Sequence, residues 1–330
     1  MKRLRRRLIA ALAGAAAGRG LAQSDASSAH ARLIEAAAGG RLSDVRRLVD
    51  AGASLRARDA SGRTALLAAT QGNHEAVARL LIESGADVNA QDNQLDSAYL
   101  LAGARGYLGI LRLTLAAGAD LRSTNRYGGT ALIPACHHGH VETVGELLKT
   151  AIDVDHVNRL GWTALLEAVI LGDGGPRHTE IVRLLLAAKA DPHIGDRDGV
   201  TPLAHAQKSG YRDMVRMLAE ATYRPAMTRA LEMRRRAVDI GDQAYGAVVL
   251  KAGRIAGEAP SRVITSRDGT AHAEREAIRD AQRRLAARVL DGCVLVSTSR
   301  PCAACESAAR EARIARMIHG ETLADAGSPR

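Results

Sequence analysis

Two short segments in the last fifth of this 330-residue chain hold its most reactive side chains. Thr270-Ala271-His272-Ala273-Glu274 offers an imidazole and, two residues on, a carboxylate. Arg300-Pro301-Cys302-Ala303-Ala304-Cys305 offers two thiols in C-x-x-C spacing. One imidazole and two thiolates have the softness that Zn²⁺ takes, and three protein ligands leave the fourth tetrahedral position open for water. A closed structural site needs a fourth donor. Cys293 and His319 do not supply it, because both fall on expected strands and have simple core or surface readings. The C-x-x-C pair starts an expected helix, where unpaired N–H groups and the helix dipole favour thiolates. Glu274 shares the pocket with His272 without occupying the metal, so it can carry a proton between water and a leaving group. The competing readings are a structural zinc knuckle and an unmetallated C-x-x-C pair; neither has a use for that carboxylate.

The elements that must position these groups follow from Thr222 onward. Met227 to Ile240 reads as an amphipathic helix, and Gly241-Asp242 breaks it. Apolar strands are expected at Ala244–Leu250 and Arg254–Ala259, a helix from about His272 to Leu285, a strand at Cys293–Ser297, a helix starting near Cys302, and a last strand at Met317–His319. Alternating helix and strand predicts a three-layer α/β domain around one sheet over residues 222–330.

H-x-E followed by P-C-x-x-C is the signature of zinc deaminases that act on cytosine or adenine. Residues 226–320 resemble the cytidine and deoxycytidylate deaminase superfamily, in the branch of tRNA adenosine deaminase, guanine deaminase and fungal-type cytosine deaminase. The likeness extends to Gly241-Asp242, Gly246-Ala247-Val248-Val249, Asp268 to Glu274, Ala277-Ile278-Arg279 and Ala312-Arg313-Ile314. The resemblance implies zinc on His272, Cys302 and Cys305, with Glu274 as proton shuttle. It also implies backbone amides near Ala273 and Cys302 lining a pocket for a nucleobase, nucleoside or related amino-heterocycle. Ala273, Ser261 and Tyr245 are the substrate-pocket candidates. The chain departs from the family at Ser261 (usually Asn), Ala244-Tyr245 (usually Pro-Phe) and Arg300 (usually Glu), and it stops at Arg330, some ten residues after the last expected strand. The domain is therefore expected to be C-terminally shortened. Family members often pair, which leaves a homodimer open.

Upstream, a 33-residue period organises the chain. Ser61-Gly62-Arg63-Thr64-Ala65-Leu66 aligns with Tyr127-Gly128-Gly129-Thr130-Ala131-Leu132, Leu160-Gly161-Trp162-Thr163-Ala164-Leu165 and Asp198-Gly199-Val200-Thr201-Pro202-Leu203. The hydroxyl residue recurs at 64, 97, 130, 163 and 201, in steps of 33, 33, 33 and 38. This pattern is similar to the ankyrin repeat, most fully in Thr201-Pro202-Leu203-Ala204-His205-Ala206. It predicts an all-α ankyrin solenoid over residues 28–221, about six repeats with caps, that binds a protein partner or shields the domain after it. Small inner-helix residues (Ala65, Ala68, Ala131, Ala164) and outer-helix leucines fill such a core, which explains a chain with no Phe and one Trp. Cys136 takes an inner-helix position, and His74, His140 and His178 share a Gly-His-like turn position that reads as structural. The five extra residues of the fourth repeat, Gly172 to Pro176, form a loop between its helices.

Charge sits at the two ends. Residues 1–7 carry five basic groups, residues 222–330 are net +6 and residues 8–221 net −1, out of +10 in all. Residues 1–22 read as an export signal, with a basic start, the apolar stretch Leu8 to Gly18 and small residues before Gln23, so a periplasmic protein is expected, with a cytoplasmic one as the alternative. No stretch approaches the ~18 apolar residues of a membrane span. Three functions compete: a zinc-dependent deaminase of a small heterocycle, an ankyrin interaction protein with an inactive deaminase remnant, and a tRNA or nucleic-acid deaminase. The last is disfavoured because only Tyr223 and Tyr245 could stack bases in the last domain.

Overall fold

The computed structural model describes residues 29–330, so the expected export segment lies outside the described residues. Two compact units are present, one ending at Ala190 and the other spanning Asp191–Arg330. No helix of the described residues is long and apolar enough to cross a membrane.

The first unit is a stack of helix pairs: α1 (29–38) with α2 (Leu42–Asp50), α3 (Ala65–Gln71) with α4 (Glu75–Glu83), α5 (Ala98–Arg105) with α6 (Leu108–Ala116), α7 (Leu132–His137) with α8 (Val141–Leu147), and α9 (Ala164–Ile170) with α10 (Pro176–Ala187). The periodic hydroxyl starts each inner helix. Thr64, Ser97 and Thr163 accept from Leu67, Leu100 and Leu166 N–H at 3.2 Å, each satisfying a helix-end donor. Thr130 does not, and its buried hydroxyl has no partner. The reason is Pro134: it stands where Ala68, Leu101 and Glu167 donate to the hydroxyl residue's carbonyl, and proline has no N–H to give. Helix α7 accordingly begins one position later in its repeat than α3, α5 and α9.

A second periodic residue shapes the turns. The side chains of Asp59, Asp92, Asn125 and Asn158 each accept from the amides two and four residues on, at 2.8–3.1 Å. They close the turns ahead of α3, α5, α7 and α9. The histidines expected to be structural tie neighbouring repeats together: the rings of His74 and His178 bond the carbonyls of Ala38 and His137, both at 2.9 Å. Ala65, Ala68, Ala69, Ala131, Ala135, Ala164 and Ala168 are all buried, as the close stacking of inner helices requires.

In the second unit, α11 (Pro202–Ser209) is followed by the 28-residue α12 (Arg212–Asp239). The boundary expected at residues 221/222 falls inside α12. The repeat period ends there but helix propensity does not, since no glycine interrupts 212–239 and Pro225 removes only one backbone donor. Five strands follow: β1 (Gly246–Lys251), β2 (Arg254–Pro260), β3 (Val294–Ser297), β4 (Arg316–His319) and β5 (Ala324–Gly327). Their order is β2-β1-β3-β4-β5, with β3 and β4 parallel and the other pairs antiparallel. β5 was not expected from its sequence, Ala324-Asp325-Ala326-Gly327, which has no β-branched or aromatic residue. It pairs with the free edge of β4, and Arg316 Nη1 holds Asp325 Oδ2 at 3.0 Å.

Helix α12 packs on one face of the sheet, and α13 (Ala273–Arg284) and α14 (Ala303–Glu311) pack on the other against Ala247, Val249, Leu295 and Met317. Two glycines permit this closeness. A Cβ at Gly246 would overlap the α12 backbone at Ala230 and Arg234, and one at Gly257 the α13 backbone at Ala277 and Ala281. The register brings the start of β1 and the ends of β2 and β3 to one end of the sheet, where the chain enters and leaves the loops carrying the reactive segments.

Asp242 organises that end. Its carboxylate accepts from Ser261 Oγ (2.8 Å), the amides of Ile264 (3.0 Å) and Thr265 (2.8 Å), Thr265 Oγ1 (2.9 Å) and its neighbour Gln243 (2.8 Å). Burial opposes its ionisation, but the bonds from Thr265, Ser261 and Gln243 outweigh it and hold the carboxyl at about 2. The loop so gathered continues to Arg262, whose amide donates to Ala271 O at 3.0 Å, one residue before His272.

Two substitutions test these frameworks. Asn158→Ala strands the amides of Leu160 and Trp162 and the buried Glu167 carboxyl that Asn158 Nδ2 meets at 2.9 Å. Urea titration followed by circular dichroism should show a loss of about 1–3 kcal/mol; an unchanged midpoint would show that the turn closes without it. A carboxyl held below its ordinary value stabilises the fold above the unfolded value, near 3.8, and loses that contribution as pH falls towards about 2. Asp242→Asn should therefore cost on the order of 1–2 kcal/mol at neutral pH, with the gap to the native chain closing below about pH 3 in parallel urea titrations; a gap independent of pH would remove the electrostatic account.

Candidate metal centre and active site

His272 and Cys302 occupy the same position on two different helices. Each is the N-cap residue, in extended conformation, of α13 and α14 respectively. Neither side chain caps its own helix, so both are free to turn towards a shared point. Cys305 lies one turn into α14 and is fully buried, while Cys302 is exposed. Cys302 Sγ and Cys305 Sγ lie 3.5 and 3.4 Å from His272 Nδ1, and the three donor atoms lie within 4.8 Å of one another. Among the described residues this is the only such group of His, Cys, Asp or Glu, and no fourth side chain joins it.

The donor chemistry fits zinc. One imidazole nitrogen and two sulfurs converge, at two helix N-termini whose dipoles favour anionic ligands. Burial first, and the Glu274 carboxylate second, push the Cys305 thiol well above its ordinary value. A cation among the donors reverses that preference, because a coordinating thiol is deprotonated outright.

Glu274, the second residue of α13, is 5% exposed. Its Oε2 lies 3.6 Å from Cys305 Sγ, yet it stands outside the donor trio. Burial raises its carboxyl above the ordinary glutamate value. A carboxyl beside the metal donors, free of the metal itself and shielded from bulk water, can hold a proton and release it to a neighbour.

The three pocket candidates have different placements. Ala273 is fully buried as the first residue of α13, beside His272 and Glu274. Ser261 is also buried, but its hydroxyl is committed to Asp242 and its amide donates to Tyr245 O at 3.0 Å. Tyr245 precedes β1 and is 45% exposed. Cys293 is a core residue and His319 lies on β4, apart from the donor group. The organising role of Asp242 was the feature the sequence reading missed. Only the adjacency of Gly241-Asp242 to a helix end signalled it, and its partners lie about twenty residues away.

Comparisons agree with this geometry. The family profile described as the cytidine and deoxycytidylate deaminase zinc-binding region matches residues 220–321. The profile of ankyrin repeats in three copies matches residues 9–92 and 99–196, together more than half of the chain. A tRNA-specific adenosine deaminase of Aquifex aeolicus is 40% identical over 89 residues, 27% of this chain and 59% of its own. A guanine deaminase of Bacillus subtilis is 42% identical over 82 residues, 25% of this chain and 53% of its own. The chain thus spans less than two thirds of the length of these curated relatives. The solved ankyrin repeat domain from Acinetobacter baumannii is 54% identical with a TM-score of 0.56, and the match covers 57% of this chain and 96% of that one. Zinc is the metal of the matched deaminase region, and His272, Cys302 and Cys305 converge within it as a group that could hold a metal ion. The chain belongs to the ankyrin-repeat family, and its residues 220–321 form a cytidine and deoxycytidylate deaminase zinc-binding region.

Proposed function

We propose that the second unit is a hydrolytic deaminase of a nucleobase, nucleoside or related amino-heterocycle, and that the ankyrin unit binds a protein partner. The observation that carries this reading is the buried, non-ligating Glu274 carboxylate beside the trio of donors. A purely structural metal site has no use for such a group. The names of the curated relatives, adenosine and guanine deaminases, support the reaction class.

His272, Cys302 and Cys305 would hold zinc, which when bound supplies the Lewis acidity that activates water at neutral pH. Glu274 does the proton work. Its Oε2 takes one proton from the water that adds at the amine-bearing ring carbon and passes it to the adjacent ring nitrogen. It then takes the second and delivers it to the amine. The exocyclic bond between that carbon and the amine breaks, ammonia leaves with that proton, and the water oxygen remains as the ring carbonyl. Ala273, the first residue of α13, has one of the amides that a helix start leaves without an intrahelical partner, available to a substrate atom.

A second reading, an ankyrin binding protein with an idle deaminase domain, draws support from Ser261. Its hydroxyl is bonded to Asp242 rather than free to meet a base. Glu274→Gln separates the two. In an ammonia-release screen over bases, nucleosides and nucleotides, the native chain should turn over at least one substrate. Glu274→Gln should lose roughly 10²- to 10⁴-fold in kcat while keeping its zinc by atomic absorption, and Cys302→Ala should lose the metal. Zinc-loaded native chain with no turnover on the whole panel would favour the second reading.

A further inference from the structure

Helices α13 and α14 enclose a groove of about 440 Å³ that lies along their outer faces. Four guanidinium groups from three elements line it: Arg275 and Arg279 on α13, Arg288 in the loop after it, and Arg313 just past the end of α14. Apolar side chains also line it: Ile278 is buried, Ala308 half-buried and Val289 exposed. Three carboxylates offset part of this charge. Glu276 holds Arg279, Asp291 stands 3.8 Å from Arg313, and Glu311 at the rim is bonded to Ser307. Arg275 and Arg288 have no ion pair among the described residues. Arg313 also sits at φ 56°, in the left-handed region that ends helices and favours glycine.

We propose that this groove is a docking site for an acidic, amphipathic segment of a partner protein. Arg275 and Arg288 bring two cations without ion pairs among the described residues into one concavity, and an anionic occupant offsets their charge. Arginine is the side chain that grips carboxylates in bidentate fashion. Arg275 and Arg279 are four residues apart on one helix, so they are rooted about 6 Å apart. Carboxylates four apart on an incoming helix have the same spacing, and its apolar side chains would meet Ile278 and Ala308. A nucleic-acid strand is the poorer fit, because no aromatic ring lines the groove to stack a base. The site is separate from the deaminase chemistry proposed above and does not require it.

The test is fluorescence anisotropy on the full zinc-loaded chain with three labelled probes. They are a helical peptide built from Glu and Leu, its Gln-for-Glu counterpart, and a single-stranded RNA. The Glu peptide should bind, weaken as salt rises, and lose at least tenfold in affinity on Arg275→Ala/Arg288→Ala. It should be unaffected by Arg234→Ala/Arg235→Ala on α12, while the Gln peptide should not bind. Arg275→Lys/Arg288→Lys keeps the charge but not the bidentate grip, and should give an intermediate loss; it carries the test if the alanine pair fails to fold by circular dichroism. The proposal is overturned if the Glu peptide does not bind, if the groove variants bind it as the native chain does, or if RNA binds in its place through the same arginines.

Discussion

The carboxylate of Asp242 gathers Ser261, Ile264 and Thr265 into one turn, and that turn is tied to the segment that carries His272. Buried and ionised, it satisfies three backbone amides and two hydroxyls that would otherwise be stranded near the end of the sheet. The loop after β2 is thereby held against the turn after α12, and the bond from Arg262 to Ala271 transmits the constraint to His272. From there the geometry is set by helices. His272 and Cys302 are both N-cap residues, and α13 and α14 start at the same end of the sheet, so an imidazole and two thiols converge without any long flexible side chain. The short reach of His and Cys makes helix placement decisive, and Gly257 lets α13 lie close enough on the sheet.

The ankyrin unit solves a related problem by repetition. Every tight turn exposes backbone donors, and a polar side chain at 59, 92, 125 and 158 accepts two of them each time. One repeat breaks the rule at the helix start, where Pro134 has no amide to give and Thr130 is left without a partner. The defect is local because each repeat is steadied by its neighbours, through ties such as His178 to His137 O.

The basic charge of the second unit acquires a location. Its guanidinium groups are not spread evenly: four line one groove between the helices that carry the metal donors. Of these, Arg279 and Arg313 face Glu276 and Asp291, while Arg275 and Arg288 have no ion pair among the described residues. Others are spent internally. Arg229 is held by Glu258 and Glu232, and Arg224 by Glu220. Net charge alone cannot separate these populations, because a paired arginine and a free one count the same.

Residue type and spacing determined the reaction chemistry available here. H-x-E and C-x-x-C are local patterns, and their elements could be read from the alternation of strand and helix. Likewise the repeat of hydroxyls every 33 residues was enough to identify the solenoid. Tertiary structure decided what local patterns do not encode. Helix α12 runs through the expected boundary, since a repeat period can stop where helix propensity continues. β5 forms on a weak sequence because β4 offers an unpaired edge. The hydroxyl of Ser261, a pocket candidate, is bonded to Asp242 across nineteen residues, and the α13–α14 groove gathers arginines up to 38 residues apart. Sequence spacing reports neighbours along one element; which side chains meet across elements depends on strand register and helix packing.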